Sequence, residues 1–488
     1  MRMRNVKATV CLLVSSFAAI LGGIAGCGGS STAGGTSKGG STTSGPTISS
    51  ISPTMVAPGG AGFPLTVTGS GFVPGSQIQW NSNSISTIYV SDTNLQSQVP
   101  AALIATQGLA GISVLNPESN NAISNTEILS IQPLPPGVAP VSVTGAATVA
   151  TVNIAANDMV WDPVHQLIYL TALSTDPNYG NSVVALNPSS VQVSSSQFAG
   201  SNPDRIAVSS DGSYLYAAID GSASVQRFAL PALSMDINIP LGADAFLGPY
   251  YALDLQTAPG LPHTIAVSLG NTNISPSADG GVKIYDDATA RTTAAGGFGA
   301  AGGGLYDSIQ WNAAATQIYA ENNEDTNFDF YVLSVNSSGV QQTQDYPGVF
   351  TSFGSRLHYD ATTGYVYSDD GQAVNPATGT PVGTYSYSGS GFSLVPPFMV
   401  PDGTLGYAYF VYQNAAPSSN YFTYTIQAYS LTHFTAAGSI TLSNVVGTPV
   451  KIIRWGTNGL AILTQNQPLS QAPGAAVYIL SGSFVTAP

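Results

Sequence analysis

Charge is scarce in this chain of 488 residues: Asp, Glu, Lys and Arg together make up 7%, against roughly 25% in an ordinary soluble protein. Basic residues are scarcest, 11 against 25 acidic, for a formal net charge of −14. A nucleic-acid surface needs a basic stripe to displace counterions from phosphates. No segment supplies one, so nucleic acid is excluded as a partner. Cysteine is nearly absent, with only Cys11 and Cys27, and the four histidines lie far apart. That inventory supports neither a disulfide framework nor a zinc site. A Gly-Xaa-Ser-Xaa-Gly elbow in a strand–helix context, a phosphate loop and a calcium loop are missing too. Accordingly no catalytic residue, metal ligand or cofactor is assigned.

What is plentiful is turn chemistry and β-forming side chains. The chain holds 53 Gly, 32 Pro and 24 Tyr, and 43% of its residues are hydrophobic. Short runs of Tyr, Val and Ile between Gly, Pro and Asn clusters predict an all-β protein. Its length exceeds what one core usually serves, so at least two domains are expected.

The first residues read as an address. Arg2, Arg4 and Lys7 precede an apolar run from Ala8 to Ile24, the order of a secretory signal peptide over 1–26. As an uncleaved membrane helix the run would be short. Ile24, Ala25, Gly26 and Cys27 resemble the lipobox of bacterial lipoproteins. That resemblance implies diacylglycerol on the Cys27 thiol, cleavage before it, and a membrane attachment through the lipid. Gly28 stands where lipoproteins kept at the inner membrane often carry Asp, which implies the outer membrane, on its periplasmic or cell-surface face. Residues 27–46, almost wholly Gly, Ser and Thr beyond the cysteine, read as a flexible tether.

Between 47 and 132 short alternating strands suggest a β-sandwich. Leu65-Thr66-Val67-Thr68 alternates with period two, as do Ile78 with Trp80, Ile88 with Val90 and Ile112 with Val114. Ile51-Ser52-Pro53, Val67 to Phe72, Trp80-Asn81 and Ser113 to Pro117 resemble the IPT/TIG family, which implies an immunoglobulin-like fold. Trp80 is read as a core residue in preference to a sugar platform. Pro-rich 133–146 follows as a linker.

From 147 to 488 one pattern recurs roughly every 45–55 residues, the blade period of a β-propeller. An inner strand ends in a tight turn and an aromatic-rich second strand follows. Examples are Met159-Val160-Trp161 with Leu167 to Leu170, and Ile206-Ala207-Val208 with Tyr214-Leu215-Tyr216. Seven such copies predict seven blades. Asn202 to Tyr216 resembles the repeat of bacterial propellers of YVTN and lactonase-like type, a likeness that implies the fold and no activity. The last blade runs out after three strands, and Thr148 to Val152 has no place in the first. Pairing that segment with Val477 to Leu480 would close the ring.

Asp162, Asp211, Asp360 and Asp402 fall in the tight turns and are read as turn formers. Two features suit a ligand better. Long loops follow many second strands, at 174–181, 270–280, 321–329, 413–420 and 465–474, and carry Asp176, Asp279, Glu321, Glu324, Asp325 and Asp329. They share one rim with the blade-to-blade loops, and loops on a rigid scaffold are where binding concentrates. Charges also stand near inner-strand starts: Asp158, Arg205, Asp307, Arg356 and Lys451. They are expected either to pair between blades or to ring the channel mouth as a polar ligand site. The leading expectation is a binding or adhesion lipoprotein for glycan or protein. The alternatives are a lactonase- or lyase-type propeller enzyme with a polar site at the channel mouth, and a structural spacer in an outer-membrane assembly.

Overall fold

The structure, a computed structural model, describes residues 45–488 apart from 54, 57–58, 60–61, 107, 118–120, 132–140, 272–273, 276, 278–279, 297–304, 387–396, 414–421 and 467–473. The signal-peptide segment, Ile24, Ala25, Gly26, Cys27 and most of the Pro-rich linker lie outside the described residues. The chain forms two compact units, Met1–Leu134 and Pro135–Pro488.

The first unit is a sandwich of two sheets. One orders Thr47–Ser52, Phe63–Ser70, Asn94–Val99 and Ile88–Ser91; the other runs from Met55–Val56 through Glu127–Ile131, Gly108–Asn116 and Gln77–Trp80 to Asn83–Ser84. The period-two alternation puts Leu65 and Val67 inside, with Leu95 from the adjacent strand and Ile78, Ile112 and Val114 from the facing sheet. Trp80 is 4% exposed and belongs to this core. At the edge strand the phase is opposite to the sequence expectation: Ile88 and Val90 are exposed and Tyr89 packs inward. A one-residue change of phase swaps every side chain to the other face.

Among the described residues the second unit forms seven sheets of at least four strands each, the blades of the propeller. Their inner strands are Ala156–Asp162, Pro203–Val208, Tyr251–Thr257, Ser308–Trp311, Leu357–Asp360, Phe398–Asp402 and Thr448–Trp455. Between adjacent blades the faces bury clusters such as Met159, Leu170, Val184, Leu463 and Ile479. Each blade is antiparallel and joined locally, so short turns suffice along the chain.

Ring closure follows the pairing expected from the sequence. Thr148–Val152 lies antiparallel to Ala476–Ser481, with Val149 opposite Leu480 and Thr151 opposite Tyr478. It supplies the outer strand of blade 7, whose other three strands come from the chain's end. The stretch 133–146 differs from its reading as a linker, because Ser142–Thr144 pairs with Ala436–Val445 as a fifth strand of blade 6. Beyond the last strand, Phe484 and Val485 are buried in the core shared by blades 6 and 7. The Tyr409 hydroxyl donates to the Val485 carbonyl there. Both ends of the propeller segment are thus stitched into the same two blades.

Candidate functional site

The charged positions near the inner-strand starts are aimed by irregularities in the strands themselves. A break in register precedes Asp158 in blade 1, Asp254 in blade 3 and Lys451 in blade 7. Such bulges insert an unpaired residue and redirect the side chains that follow.

Asp158 occupies the seam between three blades. Its carboxylate accepts the Lys451 ammonium of blade 7 at 2.5 Å and the backbone N–H groups of Met159 and, in blade 2, Ile206. Blade 3 repeats the device: Asp254 accepts N–H from Leu255 and, in blade 4, Ile309. Ser308 accepts Leu357 N–H of blade 5, and Asp369 of blade 5 accepts Met399 N–H of blade 6. Thr171 and Ser268, on second strands of blades 1 and 3, donate to the Asp204 and Tyr306 carbonyls. These bonds satisfy inner-strand backbone groups that have no ladder partner on the axis side. Asp158 and Lys451, two of the five expected ligand-rim residues, therefore serve as an inter-blade staple.

Arg205 donates Nε to the Leu253 carbonyl of blade 3 at 2.7 Å, and Asp204 stands 3.8 Å away. Burial works against the Arg205 charge, but Asp204, Asp158 and Asp254 outweigh it and raise its pKa. Arg356, across the ring in blade 5, has the opposite balance. The Arg205 charge, followed by burial, lowers its pKa despite Asp158, Asp254 and Asp369. For Asp158, burial is outweighed by Lys451, Arg205 and Arg356, and its pKa falls. Four of the five residues are thus one electrostatic group at the channel mouth.

Asp307 is not part of that group. It is 8% exposed and turned into the loop of its own blade, accepting N–H from Asn323 and Glu324. Burial, with Glu324 and Asp325 nearby, pushes it up to about 7 against those two hydrogen bonds. Glu321 in the same blade is fully buried; burial first, then Asp370, Asp369 and Asp307, raise its pKa well above the ordinary range. One oxygen of each, Asp307 Oδ1 and Glu321 Oε1, has no hydrogen-bond partner among the described residues.

The acidic rim expected from the sequence is largely turned inward. Asp176 accepts N–H from Ala155, Asn178 and Tyr179, and Asp329 accepts Gly348 N–H and the Tyr331 hydroxyl. Both are buried, as is Glu321. Glu324 takes the Ser277 N–H and hydroxyl from the neighbouring loop, and Asp325 caps its own turn at Asn327. In a sequence so poor in cations, loop N–H groups are the available partners. Asp279, loop 414–420 and most of 465–474 lie outside the described residues.

What that rim offers to solvent above blades 3 to 5 is aromatic. A small hairpin pairs Ala243–Asp244 with Gly248–Pro249 and carries Phe246 at its tip, 97% exposed. Asn271 at the start of the blade 3 loop donates to the Leu247 and Pro249 carbonyls, anchoring the hairpin. Phe353, 54% exposed, meets Phe328 edge-on at 4.9 Å, and Gly354 N–H reaches the Asn323 carbonyl. Asn271 thus ties the hairpin to the blade 3 loop, Ser277 ties that loop to Glu324 of blade 4, and Gly354 ties the Phe353 loop to Asn323. Sequence reading missed Phe246, Phe353 and Asp254, since an isolated aromatic in a loop or an Asp in an apolar strand carries no periodic signal.

The opposite ends of the inner strands make tight turns. Asp162 caps Val164, and Asp360 caps Thr363 and reaches Gly403 of the next blade. Asp211 accepts Ser213 N–H in a turn where Gly212 has φ 71°. Along the axis a cavity of about 350 Å³ is lined by Val160, Val208, Gln256, Gln310, Val400 and Ile453, and reaches Lys451. The four histidines are apart: His358 bonds Asp369, His165 bonds Asp162, His263 bonds Asp287 and His433 bonds Ser430. Among the described residues no group of three or more His, Cys, Asp or Glu has metal-holding geometry.

Comparison with protein families matches residues 46–131 to the IPT/TIG domain. No curated protein matches the chain. Among solved structures it is similar to the Myceliophteria thermophila Cps50 (Swd1) β-propeller domain, at 11% identity and TM-score 0.47, over 68% of this chain and 99% of that one. A structure of U3-55K is similar at 12% identity and TM-score 0.45, over 69% and 98%. Dihydro-heme d1 dehydrogenase NirN in complex with DHE follows at 12% and 0.43, over 77% and 69%. The strand pairing itself defines the propeller. An immunoglobulin-like domain and a propeller together support a binding or protein-interaction module.

Proposed function

We propose that this protein is a cell-envelope lipoprotein, anchored through Cys27, whose propeller binds a protein ligand through its long-loop face. The observation that carries the reading is the exposed aromatic side chains on the long-loop side, Phe246 at the tip of an anchored hairpin and Phe353 edge-on to Phe328. Side chains that spend apolar area on water at the tips of anchored loops mark an interaction surface. Protein is favoured over glycan because the tryptophans best suited to stacking on sugars are elsewhere. Trp80, Trp311 and Trp455 are buried, and Trp161 lines the axial cavity. The YVTN-like repeat fits a scaffold role for the propeller, with its loops carrying the specificity.

Detergent-purified full-length protein should bind arrayed envelope proteins, and the double variant Phe246→Ser, Phe353→Ser should lose that binding with an unchanged thermal midpoint. Equal binding by the variant, or binding to arrayed glycans alone, would sink the assignment. Cys27→Ala should leave a soluble or uncleaved form without lipid; palmitate label appearing equally in it would remove the anchor from the proposal.

A further inference from the structure

We propose that the axial cavity of the propeller is a binding site for an uncharged small molecule with an apolar body and one amide-like edge, a donor beside an acceptor. The site goes beyond the protein-binding face and does not depend on it.

The cavity takes its two-sided character from the order of the blades. Inner strands of successive blades touch one another around the ring, and blade 7 touches blade 1. Residues that line the axis therefore follow one another in blade order. Val400, Ile453, Val160 and Val208 come from blades 6, 7, 1 and 2, a contiguous arc, and Gln256 and Gln310 from the neighbouring blades 3 and 4. One side of this space of about 350 Å³ is thus aliphatic, and the other carries two carboxamides. All six residues are half-buried although they stand on inner strands, because the cavity lies in front of them. Lys451 also lines it and keeps its side chain 27% exposed, which marks the way in from the channel mouth.

The charges that reach the cavity are already committed. Lys451 is paired with Asp158 and Arg454 with Asp402, and Arg454 donates its terminal nitrogens to the Gly459 and Thr457 carbonyls. A charged guest would lack a counter-ion, and burying a charge unpaired is costly. The carboxamides are in the opposite condition. Gln256 donates Nε2 to Asp254 Oδ1 at 3.2 Å; a carboxylate only accepts, so the amide oxygen of Gln256 is left for another partner. The Gln310 amide makes no hydrogen bond among the described residues. Donors therefore stand beside acceptors on this wall, and an amide edge satisfies both kinds at once. Water suits the space less well: a buried water needs two to four polar partners, and the four aliphatic side chains supply none. An apolar body laid against them displaces weakly held water, which favours binding. The volume lies at the lower end of ligand pockets, roughly 300–1,000 Å³.

The probe is benzamide, a flat apolar ring joined to one carboxamide, with benzoate as its charged isostere. Detergent-purified full-length protein should bind benzamide saturably in ligand-observed NMR, with a Kd of about 1 mM or tighter. Tryptophan emission should change over the same range, because Trp161 lines the cavity. Benzoate should bind at least about tenfold more weakly. Gln310→Leu keeps the volume but removes the amide, and should weaken benzamide about fivefold or more. Val400→Phe should abolish binding by filling the space, and if that variant fails to fold, Gln310→Leu decides alone. Gln341→Leu on the outer strand of blade 4 should leave the Kd unchanged. Lack of saturation in the wild type, equal binding of benzoate, or an unaltered Kd in Gln310→Leu overturns the inference. The Phe246→Ser, Phe353→Ser variant should keep its benzamide binding; loss there would put the probe on the aromatic loops and overturn the axial site.

Discussion

Two seams of the same ring solve the burial of carboxylates in opposite ways. Where blades 7, 1 and 2 meet, Asp158 is buried together with a cation and two amide donors, and its pKa falls. In blade 4, where it meets blade 5, the charged neighbours of buried Glu321 and Asp307 among the described residues are other carboxylates, and theirs rise. Burial is nearly equal; the partners differ. Burial alone neutralises a carboxylate, whereas a cation and oriented N–H groups keep it charged. One seam is therefore an electrostatic staple, and in the other burial favours the protonated form of both acids, with Asp307 pushed up to about 7.

The sharpest way to break the first seam is to remove what closes it. Deleting 141–153 takes away the outer strand of blade 7 and the fifth strand of blade 6, and exposes backbone groups on both partners. The propeller should lose on the order of 5 kcal/mol or more by denaturant titration. Deleting 27–133 should leave its midpoint close to that of the full chain. Similar behaviour of the two truncations would mean that the termini do not hold the ring.

Next in size, Asp158→Asn leaves Lys451 beside a neutral amide and weakens the acceptor for Ile206 N–H. Lys451 keeps some solvent contact, its side chain being 27% exposed, so the loss should be about 3 kcal/mol, at the low end for a broken buried pair. A midpoint shift no larger than that of a surface variant would show that the staple is not energetically coupled.

The second seam predicts a gain. Glu321 binds its proton more tightly folded than unfolded, so its contribution is complete below the unfolded pKa. Stability is then lost as pH rises from there toward the raised folded value. Asp307 adds the same slope between the ordinary Asp range and about 7. Glu321→Gln keeps the shape without the ionisable proton and should stabilise the protein at pH 8 by about 1–2 kcal/mol, with little change at pH 4. Equal effects at both pH values would remove titration as the cause. The smallest effect is expected at the half-buried pair of Asp204 and Arg205, 3.8 Å apart, where Asp204→Asn should change stability by no more than about 1 kcal/mol.

The blades were legible in sequence because each is a local repeat of strand, tight turn and strand, with turn formers such as Asp211-Gly212 at fixed places. The closing strand was legible by counting, since one blade lacked an edge and one apolar segment lacked a partner. The charged mouth was only half legible. Asp158, Arg205, Arg356 and Lys451 stood out because charge is rare, but bulges before Asp158, Asp254 and Lys451 shift the register by one residue. Nothing local announces such a shift.

By itself the sequence determined the all-β class, the two folds and the number of blades, since alternation, turn residues and repeats act within a few residues of chain. Tertiary structure alone decided which charges meet. It set Asp158 against Lys451, 293 residues away, left Glu321 without a cation, and brought Arg205 and Arg356 to one mouth from blades 2 and 5. The physical reason is that a pairing between blades depends on ring geometry and on bulge-set register, and an electrostatic partner is defined by distance in space.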